Sequence, residues 1–238
     1  MSIPQSRVLI IVPTLNERAN LRELCEGIRT HVPAADVLVV DDGSSDGTAE
    51  LARALGTELG RIDVIERGRR LGIGSAYREG FARGLAQDYD RLVSMDADLS
   101  HEPRYLPALI AASEEAGVAI GSRYQRGISV VNWSLKRLAL SVGANWYARI
   151  VTGLPVQDCT SGFQCFRREV LEAIGVERLR FNGYAFLVEV KYRAHRRGFR
   201  LQEVPIIFVE RRWGLSKNGL GSILGGMWAV WALRVGRP

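Results

Sequence analysis

Three apolar runs in this chain each lead into acidic residues. Val8 to Val12 is closed by Pro13 and followed by Asn16 and Glu17; Val37 to Val40 ends in Asp41-Asp42-Gly43-Ser44; Leu92 to Met95 ends in Asp96-Ala97-Asp98. A run that is apolar at every position, without polar alternation, suits a strand buried on both faces of a parallel sheet. Between the first two runs, Leu21, Leu24, Cys25 and Ile28 recur at helical spacing, so the segment reads as a βαβ unit. The pattern continues with a helix around Ala49 to Leu59, a strand at Ile62 to Ile65, a helix around Ala76 to Leu85, the strand at Leu92 to Met95, a helix around Leu106 to Ala116 and a strand at Val118 to Ile120. Regular alternation predicts an α/β fold with a mostly parallel central sheet flanked by helices.

From Trp133 to Val151 the spacing turns helical, and strands at Gln164 to Phe166 and Leu201 to Val209 flank a helix at Ala185 to Arg197. This half is expected to carry the second substrate. With 238 residues, the chain suits one sizeable domain, residues 1–219, followed by an apolar helix in 220–238. That last helix, Leu220 to Val235, would span about 24 Å against a hydrocarbon core of about 30 Å, so it is too short to cross comfortably. Trp228 and Trp231 suit a membrane interface, and core packing is the other reading of the same pattern. Cys25, Cys159 and Cys165 have no zinc-site spacing and read as reduced, buried thiols. The N-terminal apolar run is too short for a signal peptide, so a cytosolic location is expected.

The formal net charge of +6 predicts a polyanionic partner without choosing among nucleic acid, nucleotide diphosphate and lipid phosphate. Position is more informative than charge. In an open parallel sheet ligands bind beyond the carboxyl ends of the strands, where the carboxylates here converge. A single acidic residue after a strand is commonly a helix N-cap; three such coincidences favour a site. Asp96 and Asp98, on alternate residues, suit one hard divalent cation, which would bridge diphosphate oxygens and assist a departing nucleoside diphosphate. Gly72-Ile73-Gly74 follows the third strand rather than the first and lacks the final glycine of a dinucleotide fingerprint, which excludes a Rossmann dehydrogenase. It reads either as a loop and helix start or as an anion-receptive turn.

Pro13-Thr14-Leu15-Asn16-Glu17, Asp41-Asp42-Gly43-Ser44-Ser45-Asp46-Gly47-Thr48 and Asp96-Ala97-Asp98, in that order, resemble the family 2 glycosyltransferases. More narrowly, Leu71-Gly72-Ile73-Gly74-Ser75-Ala76-Tyr77, Asp98-Leu99-Ser100-His101, Gly121-Ser122-Arg123-Tyr124 and Gly214-Leu215-Ser216-Lys217 are similar to the polyprenol-phosphate mannose synthases. The resemblance covers nearly the whole chain. It implies a GT-A type nucleotide-sugar-binding sandwich and inverting, single-displacement transfer of mannose from GDP-mannose to a polyprenyl or dolichyl phosphate.

By the same resemblance, Pro13, Leu15, Glu17, Val40 and Asp42 would line the guanosine side, and Asp96, Ala97 and Asp98 would meet a metal diphosphate holding Mg²⁺ or Mn²⁺. Arg123, Arg211 and Lys217 would complete the donor side, and Arg123, Arg137, Ser141 and Arg211 would hold the acceptor phosphate. Asp98, Arg123 and Arg211 are the expected catalytic group. The family often has a glutamine metal ligand where this chain has Ser100, so a hydroxyl or a bridging water would substitute. Asp158 stands where related transferases place an acidic residue near the acceptor, either as a base or as a loop-orienting group; an anionic phosphate acceptor needs little deprotonation. The expected setting is peripheral, on the cytoplasmic face of a membrane, with a small membrane-anchoring partner. The rivals are a UDP-glucose-dependent transferase to the same lipid and a silent membrane-associated nucleotide-sugar binder. Nucleic acid ranks last, because the basic residues are interleaved with an acidic cleft.

Overall fold

The computed structural model describes residues 6–125, 127–209 and 220–236, with side chains from 225 onward in the last segment. In chain order the elements are β1 (Val8–Thr14), α1 (Arg18–His31), β2 (Asp36–Asp41), α2 (Thr48–Leu59), β3 (Ile62–Glu66), α3 (Ile73–Ala86), β4 (Arg91–Ser94), α4 (Leu106–Ala116), β5 (Val118–Ser122), β6 (Val130–Val131), α5 (Leu135–Thr152), β7 (Gln164–Arg167), α6 (Arg168–Ile174), α7 (Gly183–Arg196), β8 (Leu201–Pro205), β9 (Phe208–Val209) and α8 (Leu220–Val235). The seven-stranded sheet runs β3-β2-β1-β4-β7-β5-β8, and β6 pairs with β9 in a separate ribbon. All pairings in the large sheet are parallel except those of β7, which lies antiparallel between β4 and β5. The mostly parallel α/β expectation is met. The chain reverses its direction of winding between β1 and β4, which brings the carboxyl ends of β1, β2 and β4 to one crevice, as open α/β sheets do at their ligand sites.

Strand β1 shows why the runs are apolar throughout. Leu9 and Ile11 join the core cluster that includes Tyr77, Phe81, Phe166 and Phe186, while Ile10 and Val12 join the one that includes Leu21, Leu24, Ile28, Leu55 and Leu109. Side chains alternate across a strand, so a sheet covered on both faces needs an apolar residue at every position. Each full burial of this kind contributes roughly 1.5–3 kcal/mol. Helix α3 lies tight against the sheet through its glycines: a Cβ on Gly80 would stand 2.5 Å from Ile11 Cγ2, and one on Gly84 would stand 2.4 Å from Leu92 Cδ2.

Two features differ from the expected elements. The strand predicted over Leu201 to Val209 is two strands, because β8 ends at Pro205 where its partner β5 ends at Ser122, and Phe208 then bonds back to Ser129. The short α6 lacks the length at which periodicity shows. In the C-terminal helix Ala229, Val230 and Leu233 are buried, the core-packing side of the pattern, while Met227, Trp228, Trp231 and Val235 are exposed. Among the described residues no helix is long and apolar enough to cross a membrane. The three cysteines are free and buried, and burial pushes each thiol up to about 12.

Candidate active site

The loops after β1 and β2 are knitted together by short polar side chains. Asp41 accepts from Thr14 Oγ1 at 2.9 Å and from the N–H groups of Gly43 and Ser44 at 3.1 and 2.8 Å. Ser44 Oγ accepts from the Asn16 N–H at 2.8 Å, and Asn16 Oδ1 accepts from the Ser45 N–H at 2.9 Å. Asn16 sits at φ +56°, a left-handed conformation that asparagine tolerates better than most residues. Glu17 stands at the N-cap position of α1, its carbonyl accepting from Asn20 and Leu21. The N-cap position and a place on the cleft rim thus coincide in one residue. Pro13 and Leu15 are half-buried on the same rim. Val40 is wholly inside the core, backbone included.

Asp42, the first residue past β2, clamps the loop after β3. Its Oδ2 accepts from the N–H groups of Leu71 and Gly72 at 3.2 and 2.7 Å. Its Oδ1 lies 2.8 Å from Arg67 Nη1, an ion pair whose angle falls short of a hydrogen bond. The Arg67 guanidinium is itself buried, donating to Ser75 Oγ at 2.5 Å and standing 3.3 Å from Glu79. Gly72-Ile73-Gly74 therefore opens α3 at the mouth of the crevice, held there by the carboxylate that follows β2.

The Asp96-Ala97-Asp98 segment follows β4, with both carboxylates half-buried and Ala97 buried. Tyr77 Oη donates to Asp96 Oδ1 at 3.1 Å. The Asp96 N–H donates to His101 Nδ1 at 3.1 Å, and the same nitrogen stands 3.8 Å from Asp96 Oδ2. His101 is buried, stacked on Phe163 at 5.0 Å and edge-on to Phe208 at 5.6 Å. Leu99 takes φ +61°, turning the chain so that the Ser100 N–H and hydroxyl reach Asp98 Oδ1 at 3.2 and 2.5 Å. Ser100 is thus buried and donates to the carboxylate that the sequence reading has it joining as a ligand. Gly162 faces Asp96 from β7's leading turn, where a Cβ would stand 3.5 and 3.6 Å from the two carboxylate oxygens.

The basic side is built around Arg123, at the end of β5. Its Nε and Nη2 donate to Asp158 Oδ2 and Oδ1 at 2.7 and 2.6 Å, and Nη2 also donates to Thr160 Oγ1 at 2.8 Å. Tyr124, Trp133 and Phe208 surround the guanidinium at 5.4 to 5.6 Å. Burial raises the Asp158 carboxyl, but Arg123 and its backbone N–H outweigh that and hold it below the usual carboxylate range. Ser141 accepts from Tyr124 Oη at 2.8 Å, and the Arg137 guanidinium lies 4.3 Å over the Trp133 ring. Asn145 ties α5 to the same turn, donating to Thr160 Oγ1 at 3.2 Å and accepting from the Thr160 N–H at 3.1 Å. Arg123, Arg137 and Ser141 are thus brought into one neighbourhood. Arg211 and Lys217 lie outside the described residues.

Sequence reading passed over Tyr77, His101, Asn145 and Lys191. Tyr77 and His101 stand inside the quoted motifs, but nothing in their spacing reveals that both meet Asp96. A further cleft, at the amino ends of β1 to β3, is lined by Asp36, Arg61, Asp63, Arg83 and Tyr89. Its charges pair among themselves, Arg61 with Asp36 and Arg83 with Asp63, and it contains none of the crevice carboxylates.

Comparison with known proteins agrees with this geometry. The model of the glycosyl transferase family 2 matches residues 9–175. The chain is 43% identical to polyprenol monophosphomannose synthase of Mycolicibacterium smegmatis over 97% of its length and 89% of that protein. It is likewise 43% identical to undecaprenyl-phosphate mannosyltransferase of Micrococcus luteus, over 92% of this chain and 90% of the relative. Among solved structures, glucosyl-3-phosphoglycerate synthase from Mycobacterium tuberculosis in complex with Mn²⁺, uridine-diphosphate and phosphoglyceric acid superposes with a TM-score of 0.72 at 22% identity, covering 98% of this chain and 80% of that one, a likeness of fold. A family match spanning the crevice-forming half, together with relatives of this identity over nearly the full length, shows that the chain belongs to glycosyltransferase family 2 and is a glycosyltransferase.

Proposed function

We propose that the protein transfers mannose from GDP-mannose to a polyprenyl or dolichyl phosphate by a single, inverting displacement. The observation that carries this reading is the 43% identity, over nearly the whole chain, to relatives named for mannosyl transfer to polyprenyl phosphates. The crevice supports it with acidic and basic sides that face different parts of such a reaction.

On the acidic side, Asp96 and Asp98 offer hard oxygen donors, and Gly162 brings only backbone up to Asp96, where a Cβ would stand 3.5 and 3.6 Å from its carboxylate oxygens. That donor set suits Mg²⁺ or Mn²⁺. When bound, the cation would supply Lewis-acid stabilisation of the departing nucleoside diphosphate. Tyr77 and the His101-anchored backbone orient Asp96, and Ser100 orients Asp98. In this reading Ser100 positions a ligand rather than serving as one. Pro13, Leu15, Glu17, Val40 and Asp42 are assigned to the nucleoside side and Lys217 to the donor diphosphate by the sequence motifs, Val40 from beneath, since it is wholly buried.

On the basic side, Arg123, Arg137, Ser141 and Arg211 are assigned to the acceptor phosphate. Guanidinium groups suit phosphate through charge-assisted, bidentate hydrogen bonds. Asp158 is too deeply paired to be a base, and a phosphate acceptor, already anionic, needs none. Alignment of the two substrates and stabilisation of the leaving group then supply most of the rate.

A lipid acceptor also accounts for the exposed apolar surface. Leu135, Trp146 and Ile150 on α5 are 83%, 65% and 62% exposed, and Trp228 on α8 is 70% exposed. The two helices are joined by a hydrogen bond from Tyr147 Oη to the Met227 carbonyl at 3.0 Å. Such residues suit the interfacial layer of a bilayer and support a peripheral membrane setting. Titration calorimetry with GDP and UDP, in the presence of Mn²⁺, tests the donor assignment: tighter GDP binding is expected, and preference for UDP would replace the donor with a uridine-linked sugar.

A further inference from the structure

We infer that Lys191 is a positioning residue for glycosyl transfer, its buried ammonium holding the turn at 158–162 that carries Asp158 on the basic side and Gly162 on the acidic side of the crevice. This deepens the functional reading above and rests on it. Lys191 lies in the middle of α7, where helical spacing would place an apolar side chain, and it is fully buried at 0% exposure. Its Nζ donates three hydrogen bonds, to the carbonyls of Cys159 at 3.0 Å, Ser161 at 2.8 Å and Leu187 at 3.1 Å. Two of these acceptors lie in the turn and the third anchors the ammonium to its own helix.

A buried ammonium is costly unless every proton finds an acceptor, and here three protons meet three carbonyls. The turn so held is in contact with both sides of the site. Asp158, one residue before the first acceptor, receives Arg123, and Gly162, one residue after the second, borders Asp96 and accepts from Ser94 Oγ at 2.7 Å. Lys191 touches neither Asp96 nor Asp98 in any of its hydrogen bonds and acts through the turn alone.

Protonation state gives this role a signature. The charged and titratable groups facing Lys191 are Asp158, Cys159, Arg123 and Glu203. Burial lowers the Lys191 ammonium to about 8, against partial compensation from Asp158, Cys159 and Glu203. Cys159 is pushed up to about 12 and Asp158 is held low, so neither titrates in the same range. A neutral amine has two protons to donate and must release one of the three carbonyls. Because the folded value lies below the unfolded one, deprotonation relieves a burial cost, and global stability rises with pH from about 8 to the ordinary value of 10.5. The turn should therefore loosen in the same pH range where the fold as a whole grows more stable.

The test follows mannosyl transfer from about pH 6.5 to about pH 9.5 in the wild type, Lys191→Gln and Lys191→Met, together with hydrogen exchange of the amides at 159–163 in the wild type, corrected for intrinsic rates. Wild-type kcat is expected to fall roughly tenfold through a midpoint near 8, the loss of about one charge-assisted hydrogen bond. Lys191→Gln, with two donors, should remain near the wild type's alkaline rate at every pH, with donor KM unchanged. Protection at 159–163 should drop across the same midpoint while the global unfolding midpoint does not fall. An alkaline limb retained unchanged in either variant, or constant protection at 159–163 through that range, overturns the inference. If the wild type transfers no mannose at any pH, the functional reading fails, and the exchange measurement still decides whether Lys191 holds the turn.

Discussion

Arg123 closes on Asp158 with two side-chain prongs, at 2.7 and 2.6 Å, while the same carboxylate accepts the Arg123 backbone N–H at 3.0 Å. Asp158 is 0% exposed. A carboxylate in this state orients a guanidinium and fixes a turn; it has no path to a substrate proton. The pair joins the end of β5 to the turn before β7, and so aligns the basic side of the crevice with the acidic one.

Breaking that pair should cost both stability and acid resistance. Asp158→Asn leaves a buried guanidinium uncompensated, and urea unfolding should show a loss of about 3–5 kcal/mol. Because the Asp158 carboxyl is held below its unfolded value, its contribution is fully present above about pH 4 and is lost as pH falls through the lower, folded value. The variant's stability should accordingly fall less than the wild type's below pH 4, and parallel acid-unfolding curves would contradict this.

Ser100→Ala should weaken metal binding, raising the half-saturating Mn²⁺ concentration, without unfolding the protein. It removes the hydroxyl that donates to Asp98 Oδ1 at 2.5 Å, a bond to a charged acceptor worth about 1.5 kcal/mol, or roughly tenfold in half-saturating Mn²⁺. Unchanged metal dependence would show that the hydroxyl does not position Asp98.

Gly80→Ala sets helix propensity against packing. Alanine in a helix gains about 1 kcal/mol over glycine, but the new Cβ would meet Ile11 Cγ2 at 2.5 Å and Cγ1 at 3.0 Å in the core. Overpacking typically costs about 1–3 kcal/mol, so net destabilisation is expected in urea. A stabilised variant would mean that α3 can move off the sheet.

How much of this was legible in the sequence depends on the range over which each feature is encoded. Strands β1, β2 and β4 announce themselves locally, through unbroken apolar runs ending in Glu17, Asp42, Asp96 and Asp98. The antiparallel insertion of β7 between β4 and β5 does not, since no local pattern states which strand will be a neighbour. Arg123 and Arg137 could be named as phosphate groups by motif, yet the pairing of Arg123 with a residue 35 positions away is a property of the turn and not of the motif. Lys191 was hidden for a different reason: a lysine within a helix reads as solvated, and only the three converging carbonyls make its burial sensible. Asp158 was left between two roles by the sequence, and its depth and partners now favour orientation over base catalysis. The apolar pattern of 220–238 sets a terminal helix apart at 220, and it does not disclose that Val230 and Leu233 pack in the same core as the sheet.

The tryptophans of α8 should report membrane contact. Replacing exposed Trp228 and Trp231 by serine removes large apolar surface outside the core and should reduce sedimentation with anionic liposomes while leaving transfer to a short, soluble polyprenyl phosphate intact. Equal sedimentation of variant and wild type would assign this face another purpose.

The central claim is tested most directly by incubating the protein with Mn²⁺ or Mg²⁺, a polyprenyl phosphate and labelled GDP-mannose or UDP-glucose in parallel, then counting label extracted into organic solvent. Lipid-soluble label from GDP-mannose, absent with UDP-glucose and abolished by Asp98→Ala, is the predicted result. Transfer from UDP-glucose alone, or full activity in Asp98→Ala, would contradict the account.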